Sequence, residues 1–216
     1  MADKSDVIVQ VFARAPEPGQ VKTRLIPMLG DNGAATLYRS LAAGMLKMAN
    51  EAAVGPLELW CTPNVDHEFF SYCSTRFNAS LHRQHDGDLG LRMHTAIEEG
   101  LTRAHHVLLV GTDCASLTTT DLRAAASALI KGYDAAFGPA EDGGYVLVGL
   151  STAMPSLFDS MHWGTDRVMD ETRERLLQLG WRWHEITTQW DVDRPEDYQR
   201  LIRTDTFAAT HAVNDS

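Results

Sequence analysis

The sequence predicts an α/β fold: a three-layer α/β/α sandwich around a mostly parallel mixed sheet. Three observations predict it. Short runs rich in β-branched and aromatic residues alternate with helix-length amphipathic segments along the chain. One run, HVLLVGT at 106–112, is almost wholly apolar, as expected of a parallel strand covered on both faces. The 216 residues are 44% hydrophobic and 22% charged, enough for one large core.

The elements follow in order. Asp6–Arg14 (DVIVQVFAR) reads as a strand, followed by a loop with three prolines and a glycine, APEPGQVKTRLIP. Asn32–Ala53 reads as a helix, with Leu37, Leu41, Met45, Leu46 and Met48 on or near one face. Pro56–Thr62 is a second strand, His67–Phe77 a short helix and Ser80–Gln84 a third strand. After the turn HDGD, Leu89–Ala104 is a helix, and 106–112 is the buried strand. Thr120–Lys131 is a helix stopped by Gly132. Asp134–Gly138 and Tyr145–Leu150 are strands flanking PAEDGG. Thr165–Leu179 is a helix ending at Gly180, Trp181–Ile186 a strand, and Pro195–Arg203 a helix with proline in its first turn. The tail from Thr204 is small and polar and is expected to fray. There is no repeat, linker or internal boundary.

Charge and cysteine usage narrow the partners. The net charge of −10 argues against nucleic acid and anionic membranes, and no apolar run approaches the ~20 residues of a membrane span. Cys61, Cys73 and Cys114 are odd in number and form no CxxC pair, which suits a reducing cytoplasm. The amino-terminal apolar run is too short for a signal peptide. An acidic chain that binds phosphates needs a local basic loop, a metal ion or both.

In such sheets ligands gather beyond the carboxyl ends of the strands, so the loops that follow strands are the informative segments. In the loop after the first strand, Gly19 permits a tight turn, and Lys22 and Arg24 place a point charge and a planar fork within three residues. This is not a GxxxxGK[ST] loop. Asp113 in GTDCASL is expected at the end of the central strand, where a hard cation would bridge it to phosphate oxygens. The alternative is a turn or cap aspartate. Cys114 beside it reads as a small buried hydrophobe. In PAEDGGYVLVG, Gly143 and Gly144 allow close backbone approach, and Glu141 and Asp142 offer ligands to metal or acceptor; a tight hairpin is the plain alternative. In WDVDRPEDY, Asp191 and Asp193 alternate and so share one side of an extended chain, while Asp193 is also placed to cap the last helix. In RQHDGDLGLRM, the glycines and Asp88 suit contact with a base edge. No histidine has HExxH spacing and no GxSxG elbow occurs.

Taken in order, APEPGQVKTRL, DGDLGLRM, GTDCASL, EDGGYVLVGL and WDVDRPEDY span about residues 6–203. As a set they resemble the bacterial family described as radical-SAM/selenodomain-associated, or arsenosugar-biosynthesis-type, glycosyltransferases, within the nucleotide-diphospho-sugar transferase superfamily. The resemblance implies a Rossmann-like GT-A fold, with residues 1–203 forming one nucleotide-binding transferase domain and 204–216 a frayed tail. It implies Lys22, Arg24 and Asp113 as catalytic residues. Ala13, Ala15, Pro16, Gly19, Gln84, Asp88 and Gly90 would join Lys22 and Arg24 in binding the nucleotide. Asp113 and Asp193 would hold Mg2+ or Mn2+, and Asp142, Gly143, Gly144 and Arg194 would meet the acceptor. The superfamily usually has proline at the position of Ala115 and threonine at that of Arg194, so Arg194 adds a cation beside the expected metal site. The expected partners are an NTP or NDP-sugar and a small acceptor, with a homodimer admitted. Two reactions follow, nucleotidyl transfer of a guanylyl type from an NTP and glycosyl transfer from an NDP-sugar. A non-catalytic nucleotide-binding module is the third reading.

Overall fold

The structure, a computed structural model, describes residues 4–204. The predicted frayed tail therefore lies, beyond Thr204, outside the described residues. Seven strands form one sheet: β1 (Ser5–Arg14), β2 (Leu57–Thr62), β3 (Ser80–Arg83), β4 (Ala104–Val110), β5 (Ala135–Pro139), β6 (Tyr145–Leu150) and β7 (Trp183–Glu185). Six α-helices connect them: α1 (Ile26–Ala52), α2 (Glu68–Phe77), α3 (Leu89–Leu101), α4 (Thr119–Ile130), α5 (Val168–Leu179) and α6 (Pro195–Arg203). The sheet order is β3-β2-β1-β4-β6-β5-β7. β6 runs antiparallel to both β4 and β5, and the other pairs are parallel. The predicted α/β/α sandwich with a mixed, mostly parallel sheet is the fold observed.

Period-two alternation divides the strands between two cores. Val7, Val9, Val11 and Ala13 of β1 and Leu108 and Val110 of β4 pack with α1, α2 and α4. Phe12 of β1 and Val107 and Leu109 of β4 pack with α3 and α5. A smaller cluster of Leu25, Leu37, Leu41, Val192 and Leu201 seats α6 on α1. No helix among the described residues is long and apolar enough to cross a membrane.

Several boundaries differ from the sequence expectation. β4 lies two residues earlier than 106–112, because Ala104 pairs with Ser5 of β1 and pairing ends at Val110. α3 accordingly stops at Leu101. α1 begins at Ile26 rather than Asn32, continuing through a kink at Gly30 (φ 68°, ψ 169°) with Pro27 in its first turn. The last strand shrinks to Trp183–Glu185, an edge strand paired only with β5.

The topology brings four segments to one edge. The loops after β1 and β4 are neighbours because those strands pair in parallel. The loop between β5 and β6 opens on the same edge, since β6 is antiparallel to β4. The segment after β7 then crosses this edge, bridging Gln189 to Ala140 and Asp191 to Cys114.

Candidate active site

Lys22 is the centre of this edge. Its backbone is left-handed (φ 48°, ψ 42°), which is uncommon for a residue with a side chain, and the fully buried Leu25 anchors the turn that follows. The Lys22 side chain is only 3% exposed, with Nζ 2.6 Å from Asp113 Oδ1 and 2.9 Å from Asp193 Oδ1. Burial alone would depress its pKa, but the charges of Asp113 and Asp193 outweigh burial and raise it. Lys22 is thus a fixed ammonium held between two loops.

Both carboxylates owe their place to one backbone bridge. Val192 N donates to Asp113 O at 3.0 Å and Ala115 N to Trp190 O at 3.3 Å. Asp113 is not the last residue of its strand, as expected from the sequence, but lies three residues beyond Val110. Asp193 does not cap α6. Arg194 holds the cap position, and the amides of Asp193 and Arg194 both donate to Asp197 Oδ2, at 3.1 and 2.7 Å. The Asp193 carboxylate is left to receive Lys22.

Asp191 has the most perturbed carboxyl group of the cluster. Burial first, and the charge of Asp113 second, push its pKa up to about 7. Its Oδ1 is buried without a hydrogen-bond partner among the described residues. A pocket of about 240 Å³ opens here, lined by Phe12, Met93, Leu109, Tyr145, Asp113 and Asp191. A larger groove, about 420 Å³, runs past Glu17, Asn32, Arg39 and His67 and contains none of these carboxylates. The chemistry therefore concentrates at the smaller pocket.

The other expected site residues divide. Arg24 joins the cluster loosely, 67% exposed and 3.7 Å from Asp193 Oδ2. Ala13, Ala15 and Pro16 are buried, and Ala15 N donates to Thr62 O at 2.8 Å, which extends β1 toward the cluster. Gly19 takes the positive φ (79°) expected of it. Gln84 is buried, and its amide donates to Ala13 O (3.2 Å) and Trp60 O (2.7 Å) while its oxygen accepts from Arg92 (3.1 Å). It positions strands and Arg92 rather than offering a free edge to a base. Asp88 caps α3 by accepting from Leu91 N at 2.8 Å. Gly90 packs closely, since a Cβ there would lie 2.9 Å from Phe158 O.

In the loop between β5 and β6, Asp142 Oδ1 accepts from Gly144 N at 3.0 Å. Gly143 has φ 88°, and a Cβ on it would overlap the Asp166 carbonyl, so close backbone approach is what this glycine provides. The approach is to the chain before α5, where Met169 N donates to Gly143 O at 2.8 Å. Glu141 is committed to Arg200, at 2.7 and 3.1 Å, and that hydrogen-bonded pair holds its carboxyl below the usual range. Arg194 is exposed.

Two residues the sequence reading left out complete the site. Tyr38 OH accepts from Arg14 N (2.8 Å) and from Thr112 Oγ1 (3.1 Å), joining the end of β1 to the loop after β4. Burial first, then Asp113, push its pKa up to about 12. Tyr38 falls among the apolar positions of α1, so its pattern signals only core.

Comparison with known proteins places the whole chain. No curated protein matches it by sequence. A structure from Desulfovibrio desulfuricans G20, provisionally assigned as a nucleotide-diphospho-sugar transferase, is similar with a TM-score of 0.86 and 30% identity, covering 98% of this chain and 96% of that one. The CMP:2-keto-3-deoxy-manno-octonic acid synthetase complexed with CTP shares the fold at a TM-score of 0.60 and 10% identity, covering 97% of this chain and 100% of that one. Rv0371c of Mycobacterium tuberculosis H37Rv, in complex with manganese, does so at 0.53 and 17% identity, covering 92% and 99%. A family match extends over residues 45–165, more than half of the chain. With that match and the full-length likeness, the chain belongs to the family described as uncharacterized protein conserved in bacteria (DUF2064).

Proposed function

We propose that this protein is a metal-dependent nucleotidyltransferase, moving a nucleotidyl group from an NTP to a small phosphorylated or carboxylate acceptor. The observation that carries the reading is the buried Lys22 ammonium set between Asp113 and Asp193 where the loops after β1 and β4 meet. An acceptor oxyanion attacks the α-phosphorus, the bond to the β-phosphate oxygen breaks, and pyrophosphate leaves with the electron pair. An acceptor that arrives ionised needs no base. Lys22 and Arg24 carry positive charge to the phosphates, and Tyr38 and Thr112 hold the two loops in register.

The donor set suits a divalent cation. Asp113 and Asp193 share a single ammonium, Asp191 lies beside them in the strand-like bridge to Cys114, and its Oδ1 is buried without a hydrogen-bond partner among the described residues. Asp113 and Asp193 would hold the ion, with Lys22 yielding part of its place. Bound there, Mg2+ or Mn2+ would neutralise charge on the phosphate oxygens.

Glycosyl transfer from an NDP-sugar is the second reading, favoured by the assignment given to the 30%-identical relative and by the arsenosugar-type resemblance. It needs a base for an acceptor hydroxyl. With Glu141 bound to Arg200, that role falls to Asp142.

Thermal unfolding with Mg2+ or Mn2+ and a panel of NTPs and NDP-sugars separates the readings. Ligand at ~100 times its Kd adds about 2.7 kcal/mol, several degrees for a domain this size. A metal-dependent shift with one NTP supports nucleotidyl transfer. A shift with an NDP-sugar, and none with the matching NTP, supports glycosyl transfer. No shift with any of them overturns both. Asp113→Asn is expected to lower turnover by ~10²–10³. Its melting temperature should stay within a few degrees, because Lys22 keeps Asp193. Unchanged turnover would remove Asp113 from the mechanism.

A further inference from the structure

A second cationic site lies beside the Lys22 cluster, on the α3 face of the sheet. Gln10 and Phe12 of β1 face α3, Gln10 donating to Ala96 O at 2.7 Å and Phe12 packing in the α3 core. By strand alternation Arg14, the last residue of β1, projects to the same face. Arg92 stands on the first turn of α3, and Gln84 ties it to the end of β1. The Gln84 oxygen accepts from Arg92 Nη1 at 3.1 Å, while the Gln84 amide donates to Ala13 O, the carbonyl next to Arg14, at 3.2 Å.

Neither guanidinium has an anionic partner. Among the described residues, no ion pair involves Arg14 or Arg92. Arg92 Nε is buried with nothing to receive its proton. Burial, then the positive charge of Arg14, press the Arg92 pKa down, and the charge of Asp88, whose carboxylate caps α3, offsets this only in part. Two like charges held together, one carrying an unmet buried donor, are unfavourable unless something arrives to satisfy both. In a chain of net charge −10 this arrangement is not general surface chemistry.

We propose that Arg14 and Arg92 form an oxyanion subsite, taking a phosphate or carboxylate group between the two guanidinium forks. The group belongs either to the nucleotide's polyphosphate or to the anionic acceptor. The proposal deepens the nucleotidyl-transfer reading and rests on it for the identity of the ligand. The oxyanion chemistry itself does not need that reading.

The test is calorimetric titration of the full-length protein with inorganic pyrophosphate, without metal. Arg92→Gln and Arg14→Gln are each expected to weaken pyrophosphate binding about tenfold or more. The Arg14 side chain is exposed at a strand end, so Arg14→Gln remains informative if Arg92→Gln folds poorly. Wild-type pyrophosphate affinity within twofold in a folded Arg14→Gln or Arg92→Gln overturns the proposal. Repeating the titration with Mg2+ and saturating NTP assigns the source. Competition places the subsite on the nucleotide's phosphates, and simultaneous binding places it on the acceptor's anion. If no nucleotide binds but pyrophosphate binding still depends on both arginines, the subsite stands and the nucleotidyl-transfer reading falls. If nucleotide binds while pyrophosphate binding ignores both arginines, the reverse holds.

Discussion

Lys22→Met is expected to lower turnover by ~10²–10³ and to destabilise the protein at the same time. The side chain is 3% exposed, while Asp113 and Asp193 are 45% and 44% exposed. Removing one partner of a fully buried ion pair costs about 3–5 kcal/mol. Here water reaches both carboxylates, so screening reduces the cost to about 1–3 kcal/mol. That corresponds to a fall in melting temperature of roughly 3–10 °C. The variant leaves two carboxylates, those of Asp113 and Asp193, facing an apolar tip. Millimolar Mg2+ should therefore restore part of the lost stability, and more than it adds to wild type. It should not restore turnover, because the ammonium proposed to meet the phosphates is gone. Recovery of both by Mg2+ would make Lys22 a mere counter-ion for the aspartates. A melting temperature unchanged from wild type would mean that Asp113 and Asp193 do not need it.

The order of strands and helices is legible because alternation and apolar runs report local periodicity. Boundaries are less so. Residues 104 and 105 join β4 through pairing with β1, which hydrophobicity does not encode, and α1 passes a glycine that punctuation rules treat as a stop. Lys22, Asp113 and Asp193 are legible because each lies in a loop beyond a strand or before a helix, where the fold class says ligands gather. Whether Asp193 caps α6 or faces Lys22 is not legible, since it depends on Asp197 taking the cap amides. Asp191 and Arg92 stand inside motifs the sequence marks. Their significance comes from buried atoms without partners, a property of packing alone. Gln84 shows the converse: a polar residue in a suggestive motif whose hydrogen bonds are taken up by Ala13, Trp60 and Arg92.

Glu58→Ala is expected to cost about 3–5 kcal/mol of stability, more than any change in the Lys22 cluster. Glu58 on β2 is 3% exposed and is aligned with Gln10 of β1. Its carboxylate accepts from Gln10 Nε2 (3.1 Å), Trp60 Nε1 (3.0 Å) and Arg103 (Nε 3.1 Å, Nη2 2.7 Å). Gln10 also donates to Ala96 O, so one carboxylate fastens β1, β2, α3 and the turn before β4 together. Gly100 belongs to the same design, because a Cβ there would approach Gln10 Nε2 to 2.7 Å. Alanine leaves the Trp60 and Gln10 donors buried and unmet, with a cavity between them. The melting temperature should fall by roughly 10 °C or more. Turnover per folded molecule, measured well below that temperature, should stay near wild type because no residue of the Lys22 cluster is touched. Glu58→Gln should lose less, since its oxygen can still serve one side of the network, but its amide must face the indole or the guanidinium as a donor opposite a donor. Urea unfolding of the two variants checks the order. Equal costs would mean that shape rather than charge holds the network, and a cost below about 1 kcal/mol for alanine would mean that water already satisfies these donors.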